Sequence, residues 1–253
     1  MLKMASEACT MIPAVVTKGY QPRGVYETIS GLNTYVTGSA NAESGIVDIF
    51  DIFGFSTQTL QGADILAAQT NSLVVVPDFF DGVAVSHDWL PADSEEKKAF
   101  VSDFMREKAA FPQNVDLLLR VASECKTRFA NARTWAAFGL CWGGKVAVLA
   151  SGADSPFVAS GQAHPGRMDK ADAEKLTIPH IVLASKDEPA DIVTAYAEIL
   201  KANGRGGVVE TYPTMWHGWM GARANLEDIE SREEYSRGYK QAAEFFKSIF
   251  SKS

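Results

Sequence analysis

The sequence is short of the residues that build metal cages and disulfide frameworks. It holds three cysteines, Cys9, Cys125 and Cys141, and four histidines in 253 residues. An odd cysteine count with no C-x-x-C pair excludes a disulfide scaffold and points to a reducing compartment. No histidine pair has a helical ligand spacing such as H-E-x-x-H, so His87, His164 and His217 with Asp51 do not read as a metal set. There is no basic run, and the net charge is −7, which argues against a nucleic-acid partner. No stretch approaches the roughly 18–20 apolar residues of a membrane span. The opening residues lack the apolar core of a signal peptide, and no repeat or low-complexity linker divides the chain. These absences leave a cytoplasmic protein built as a single domain over 1–253, without a nucleic-acid or membrane partner.

What is present is ordinary for a globular chain, 46% apolar and 22% charged. Short β-branched runs alternate with longer helical patterns. The runs lie at 45–55, 73–77, 134–139, 157–163, 180–185 and 207–212, and the helical stretches at 58–69, 95–109, 114–129, 143–150, 191–203 and 234–250. Near-continuous apolar strands separated by helices predict a mostly parallel central sheet with helices on both faces. The earlier runs at 24–29 and 32–37 alternate polar and apolar residues around Ser30-Gly31, which predicts an antiparallel hairpin at the sheet's edge. Sites in such α/β folds lie beyond the carboxyl ends of the strands.

One turn carries chemistry. Gly139-Leu140-Cys141-Trp142-Gly143 places a cysteine between two glycines where an apolar strand meets a helix. A strained strand-to-helix elbow exposes a nucleophile, and its glycines leave room where a Cβ would collide with strand or helix. The free N–H groups of the first helical turn favour a thiolate and later an oxyanion. Taken alone the pattern serves equally well for a small buried cysteine in a βα turn. Two further residues strengthen it: Asp187 follows the run ending at Ser185, and His217 follows the run ending at Tyr212. Cys141, Asp187 and His217 thus occur in the chain order nucleophile, acid, histidine, each just past a strand. In that arrangement His217 takes the thiol proton and Asp187 fixes its tautomer. Asp187 as a helix cap and His217 as a loop histidine remain the plain alternatives. His180 begins a strand at the far edge and suits a structural role.

With these residues the chain resembles the dienelactone hydrolase family of the α/β-hydrolase superfamily. The similarity runs from about Gly45 to His217 and rests on DIFGF, VVVPDFF, GLCWGGK, the acid after IVLASK, and HGW. His164-Pro165-Gly166 is similar to the eukaryotic, including fungal, branch. The resemblance implies a carboxylic ester hydrolase without a cofactor, acting on small esters or lactones through a Cys-His-Asp triad, as a monomer or homodimer. It implies an oxyanion hole formed by the backbone N–H groups of Trp142 and Ile52. It also implies that Asp51 stands where bacterial members carry a glutamate beside the resting thiol; an acid there would raise the thiol pKa.

The family's typical enzyme anchors a substrate carboxylate with two arginines. Here Pro77–Gly82 has none, and Arg223, six residues after His217, is the residue that matches the second. Phe80, Trp89, His164 and Trp219 are expected along the pocket, with packing roles equally open. A different class, a non-catalytic ligand-binding or thiol redox-responsive protein on the same fold, would also use an exposed Cys141.

Overall fold

A computed structural model of the chain describes residues 10–15 and 19–252; residues 1–9, with Cys9 and most of the stretch read for a signal peptide, lie outside these. Eight strands form one sheet: β1 (Val25–Ile29), β2 (Leu32–Thr37), β3 (Ser44–Ile49), β4 (Leu73–Pro77), β5 (Thr134–Leu140), β6 (Ala159–Ala163), β7 (His180–Ser185) and β8 (Gly207–Tyr212). Their spatial order is β1-β2-β4-β3-β5-β6-β7-β8. The first hairpin pairs antiparallel, with Tyr26 opposite Tyr35, and β2 runs antiparallel to β4. From β4 to β8 every pairing is parallel. The helices are α1 (Thr57–Thr70), α2 (Glu95–Glu107), α3 (Phe111–Arg128), α4 (Trp142–Leu149), the short α5 (Lys170–Ala173), α6 (Ala190–Ala202) and α7 (Ile229–Phe250).

Side-chain alternation sorts these helices onto two faces. Phe138 packs edge-on against Tyr239 and Phe246 of α7. Its neighbour Gly139 turns the opposite way, where an added Cβ would lie 2.1 Å from Gly143 O in α4. α1 lies with α7, so closely that a Cβ on Gly62 would overlap the Tyr239 ring at 2.0 Å. On the α4 side a separate apolar cluster of Val148, Leu176, Val182, Tyr196 and Leu200 ties α4 and α6 to β7. The inner parallel strands β3, β4, β6 and β7 are buried along their whole length and β5 from Trp135 onward, which explains their unbroken apolar runs, whereas the edge strand β8 is largely exposed.

The sequence run at 45–55 is longer than its strand. β3 ends at Ile49, and Asp51–Phe55 form a turn in which Gly54 takes φ +67. The starts of α1, α2 and α7 carry polar caps: Ser56 accepts from Thr59 N, Ser94 from Lys97 N and Asp228 from Ser231 N. Among the described residues no helix is long and apolar enough to cross a membrane.

Candidate active site

The carboxyl ends of β3, β5, β7 and β8 bring the sequence-marked residues together. Cys141 follows β5 with φ +52 and ψ −108, a backbone region that costs a non-glycine residue about 1–3 kcal/mol. The strain is held by close packing. A Cβ on Gly143 would fall 2.2 Å from Ile49 O and 2.6 Å from Phe50 O. Cys141 N donates to Ala163 O at 3.0 Å, and Cys141 O accepts from Gly144 N at 3.1 Å and Gly166 N at 3.0 Å. The cysteine side chain is thereby fixed in direction as well as position.

Cys141 Sγ lies 3.0 Å from His217 Nε2, and His217 Nδ1 lies 2.7 Å from Glu188 Oε1. All three residues are buried, at 1% exposure for Cys141 and His217 and 7% for Glu188. The acid at the imidazole is therefore Glu188, not the expected Asp187. Asp187 is exposed, and its Oδ2 accepts the backbone N–H of His217 at 2.8 Å. The turn after β7 makes the difference. Asp187 N donates to Ser185 Oγ, and Glu188 folds back under the strand end so that its Oε2 accepts Ser185 N–H. The longer side chain reaches inward to the ring, while the shorter one clamps the loop that carries it.

The other expected residues divide. Ile52, Cys141 and Trp142 border one small cavity of about 20 Å³. The Trp142 indole turns away, donating to Ala109 O at 2.9 Å and packing 4.6 Å from Phe80. Phe80 is wholly buried among Phe50, Phe104 and Trp142 and belongs to the core, not the pocket wall. Trp219 is also fully buried, its ring tilted against Tyr212 with centroids 4.3 Å apart and pressed against Gly238. Trp89 is half-buried, in a short 3-10 turn at His87–Trp89, and stacks on Phe100 at 4.0 Å.

Arg223 is not a pocket anchor. It is 1% exposed, its Nε donates to Ile12 O at 2.5 Å, and its guanidinium lies 4.9 Å over the Phe53 ring. Asp51, expected beside the thiol, places its carboxylate on two backbone N–H groups, Phe53 N and Ala222 N, each at 3.0 Å. Burial raises its pKa, against the lowering pull of those N–H groups and of Arg223 and His217. It latches the turn after β3 to the loop after His217. Gln58 Nε2 braces the same loop through Ala222 O and Ala224 O, both at 3.2 Å.

His164 packs edge-on against His217, with ring centroids 5.5 Å apart, and is fully buried with φ +37. Burial first, then the charges of His217 and Arg223, hold its imidazole well below the usual range and hence neutral. His180 bonds Ser160 Oγ through Nδ1 at 2.7 Å, and burial pushes it down to about 3. Among the described residues no three His, Cys, Asp or Glu side chains gather to hold a metal ion.

Sequence reasoning missed Glu188, although a carboxylate stands at both positions after Lys186. It also missed Thr10, Val101, Met105, Phe111 and Arg167, which with Gly166 complete the wall of the small cavity. For Arg167 the one available signal was its place directly after His164-Pro165-Gly166.

A strained elbow on the central strand, a histidine after the last strand and an acid after the strand before it define an α/β-hydrolase fold. Comparison with known proteins gives the family. The chain belongs to the dienelactone hydrolase family, whose model matches residues 32–250. It is 34% identical to an uncharacterized AIM2 family protein of Schizosaccharomyces pombe over 93% of this chain and 95% of that one. It is 26% identical to hydrolase tropI of Talaromyces stipitatus over 89% and 90% of the two chains. A Klebsiella pneumoniae crystal structure, described as a candidate dienelactone hydrolase, superposes with a TM-score of 0.68 at 18% identity, covering 91% of this chain and 98% of that one.

Proposed function

We propose that this protein is a cysteine-dependent hydrolase of small esters or lactones, with Cys141 as nucleophile, His217 as base and acid, and Glu188 as the orienting carboxylate. The observation that carries the reading is the buried relay of 2.7 Å from Glu188 to His217 and 3.0 Å from His217 to Cys141. Glu188 accepts from Nδ1–H, which leaves Nε2 as the basic nitrogen facing the thiol. His217 takes the thiol proton, and the thiolate adds to the substrate carbonyl carbon. The carbonyl oxygen becomes an oxyanion held by the N–H groups of Trp142 and Ile52. Removing one such donor typically costs about 10²–10³ in rate.

Collapse of the tetrahedral intermediate breaks the C–O bond, and His217 Nε2–H protonates the departing oxygen. The acyl group is then a Cys141 thioester. Water enters, gives a proton to His217 and adds to the thioester carbon; the C–S bond breaks and the sulfur recovers its proton. The sum is ester plus water to acid plus alcohol. Asp187 serves this cycle by holding the His217 backbone.

The test is hydrolysis of a panel of small lactones and nitrophenyl esters by the wild type and Cys141→Ala, with alkylation of the thiol followed in parallel. Turnover that disappears with the thiol is the expected result. Equal inertness of both proteins, while Cys141 alkylates quickly, would instead favour a ligand-binding or redox-responsive thiol.

A further inference from the structure

The cavity at the nucleophile does not end there. Beyond it lies a groove of about 560 Å³, and the two share Thr10, Val101, Met105, Phe111 and Arg167 as walls. They form one site with a tight inner chamber and a wide outer one. The inner chamber, about 20 Å³, is close to the ~10–15 Å³ that admits a single water, so it suits a short acyl group only. The outer groove falls within the roughly 300–1,000 Å³ of sites for organic molecules.

The groove is amphipathic and of one charge sign. Ala92, Val101, Met105 and Phe111 supply apolar wall, and Lys98, Arg106 and Arg167 supply cations, with no Asp or Glu in the lining. Two of these cations are already partnered on the helix surface: Lys98 with Glu95 at 2.9 Å, and Arg106 with Asp103 at 2.8 Å. Arg167 differs. Among the described residues it has no ion pair, its buried Nε meets no acceptor, and its guanidinium sits 5.7 Å over the Phe111 ring. Gly166, next to it, donates to Cys141 O at 3.0 Å, so the turn carrying Arg167 is tied to the nucleophile. A guanidinium stacked on an aromatic face with an unused buried donor is a receptor for an acidic group.

The order of events orients the substrate. After the first step the acyl group stays on sulfur, and the alcohol or thiol must depart before water can enter. A leaving group in the inner chamber would be shut behind the thioester, whereas one in the outer groove leaves freely. Resting on the hydrolase reading above, we propose that Arg167 recognises an acidic group on the leaving half of the substrate. The substrate class is an ester or thioester joining a short acyl group to a larger, amphipathic alcohol or thiol that carries a carboxylate or phosphate. In the reaction the acyl C–O or C–S bond breaks, the leaving atom takes its proton from His217, and the acid-bearing alcohol or thiol departs past Arg167.

The experiment compares kcat/KM for phenyl acetate, 4-acetoxybenzoate, 4-acetoxyphenyl phosphate and monophenyl succinate, each divided by its alkaline hydrolysis rate. At least one of the two esters with an acidic leaving group should exceed phenyl acetate by about tenfold or more, and monophenyl succinate, with its acid on the acyl side, should not. The better of the two identifies carboxylate or phosphate as the group read. Arg167→Gln should lower the acidic-to-neutral ratio by about tenfold or more, chiefly through KM, and Arg167→Lys should recover part of it. A ratio is unaffected by a fraction of misfolded protein, since both rates fall together. An unchanged ratio in Arg167→Gln, or a preference for monophenyl succinate, overturns this inference alone. Phenyl acetate hydrolysis that survives Cys141→Ala overturns the hydrolase reading on which it rests.

Discussion

Replacing Glu188 by glutamine separates the two adjacent carboxylates. Both Glu188 oxygens are used as acceptors, Oε1 by the His217 ring and Oε2 by Ser185 N–H. Glutamine keeps the shape but has a single acceptor oxygen. Whichever way its amide turns, either the ring or the strand end faces an N–H donor with no acceptor. If the oxygen stays on Ser185, the amide N–H forces His217 to carry its proton on Nε2, the wrong tautomer to accept one from Cys141. The matching change of tautomer in the serine-protease triad drops kcat by about 10⁴, equivalent to about 5.5 kcal/mol at 1.36 kcal/mol per tenfold. Because the Glu188 carboxylate here is nearly fully buried, a loss of about 10³–10⁴ in kcat is expected for Glu188→Gln. Asp187→Asn weakens one bond to a backbone N–H at an exposed position, and the asparagine Oδ1 can still accept it. Its cost should stay within about tenfold. The assay is steady-state hydrolysis of a nitrophenyl ester by both variants, with melting temperatures measured alongside. A dead Asp187→Asn together with an active Glu188→Gln would refute the assignment.

Two further outcomes follow from packing and burial. Gly143→Ala drives a methyl into the carbonyls of Ile49 and Phe50 and should cost about 3 kcal/mol or more, a fall of roughly 6–12 °C in Tm. Gly152→Ala, whose Cβ would meet only Lys175 O at 3.5 Å, should leave the Tm nearly unchanged in the same calorimetric scan. Asp48 lies in β3 close to Tyr235 and Tyr239, and burial pushes its pKa up to about 8 against the lowering pull of the Ile49 backbone N–H. The folded state thus holds a proton that the unfolded chain releases near pH 4, so stability falls as pH rises from about 4 through about 8. Between pH 6 and 8 the loss is about 2 kcal/mol, and Asp48→Asn should flatten that slope in urea titrations; a parallel slope in the variant would exclude Asp48 as its source.

The sheet could be read from the sequence because parallel strands leave a plain mark. Leu73–Pro77, His180–Ser185 and Gly207–Tyr212 are strands with the bounds that their apolar runs suggest. The elbow was equally legible, since its glycines answer a local steric demand that belongs to the turn itself. Glu188 was not, because two consecutive carboxylates follow the same strand and only the turn through Ser185 decides which points inward. Arg223 and Trp219 misled for a different reason. Their burial is imposed by Ile12, more than two hundred residues upstream, and by Gly238 of the last helix, contacts that no local pattern records. Arg167 adopts φ +51, a conformation rarely expected of arginine, so its placement beside Cys141 depends on the tertiary course of the turn.

Arg223, set between Ile12 and Phe53, has a consequence for how such an enzyme could diversify. An arginine buried against the chain's opening segment cannot be exchanged to alter ligand choice without loosening the catalytic loop. The groove, by contrast, takes five of its eleven lining residues from α2, whose outer face is solvent-exposed and which carries none of Cys141, Glu188 and His217. In the proposed reading the relay sits on the strand ends, and the part of the groove that α2 builds stands apart from it. A library confined to α2 could change what the protein accepts while the chemistry beneath is inherited intact.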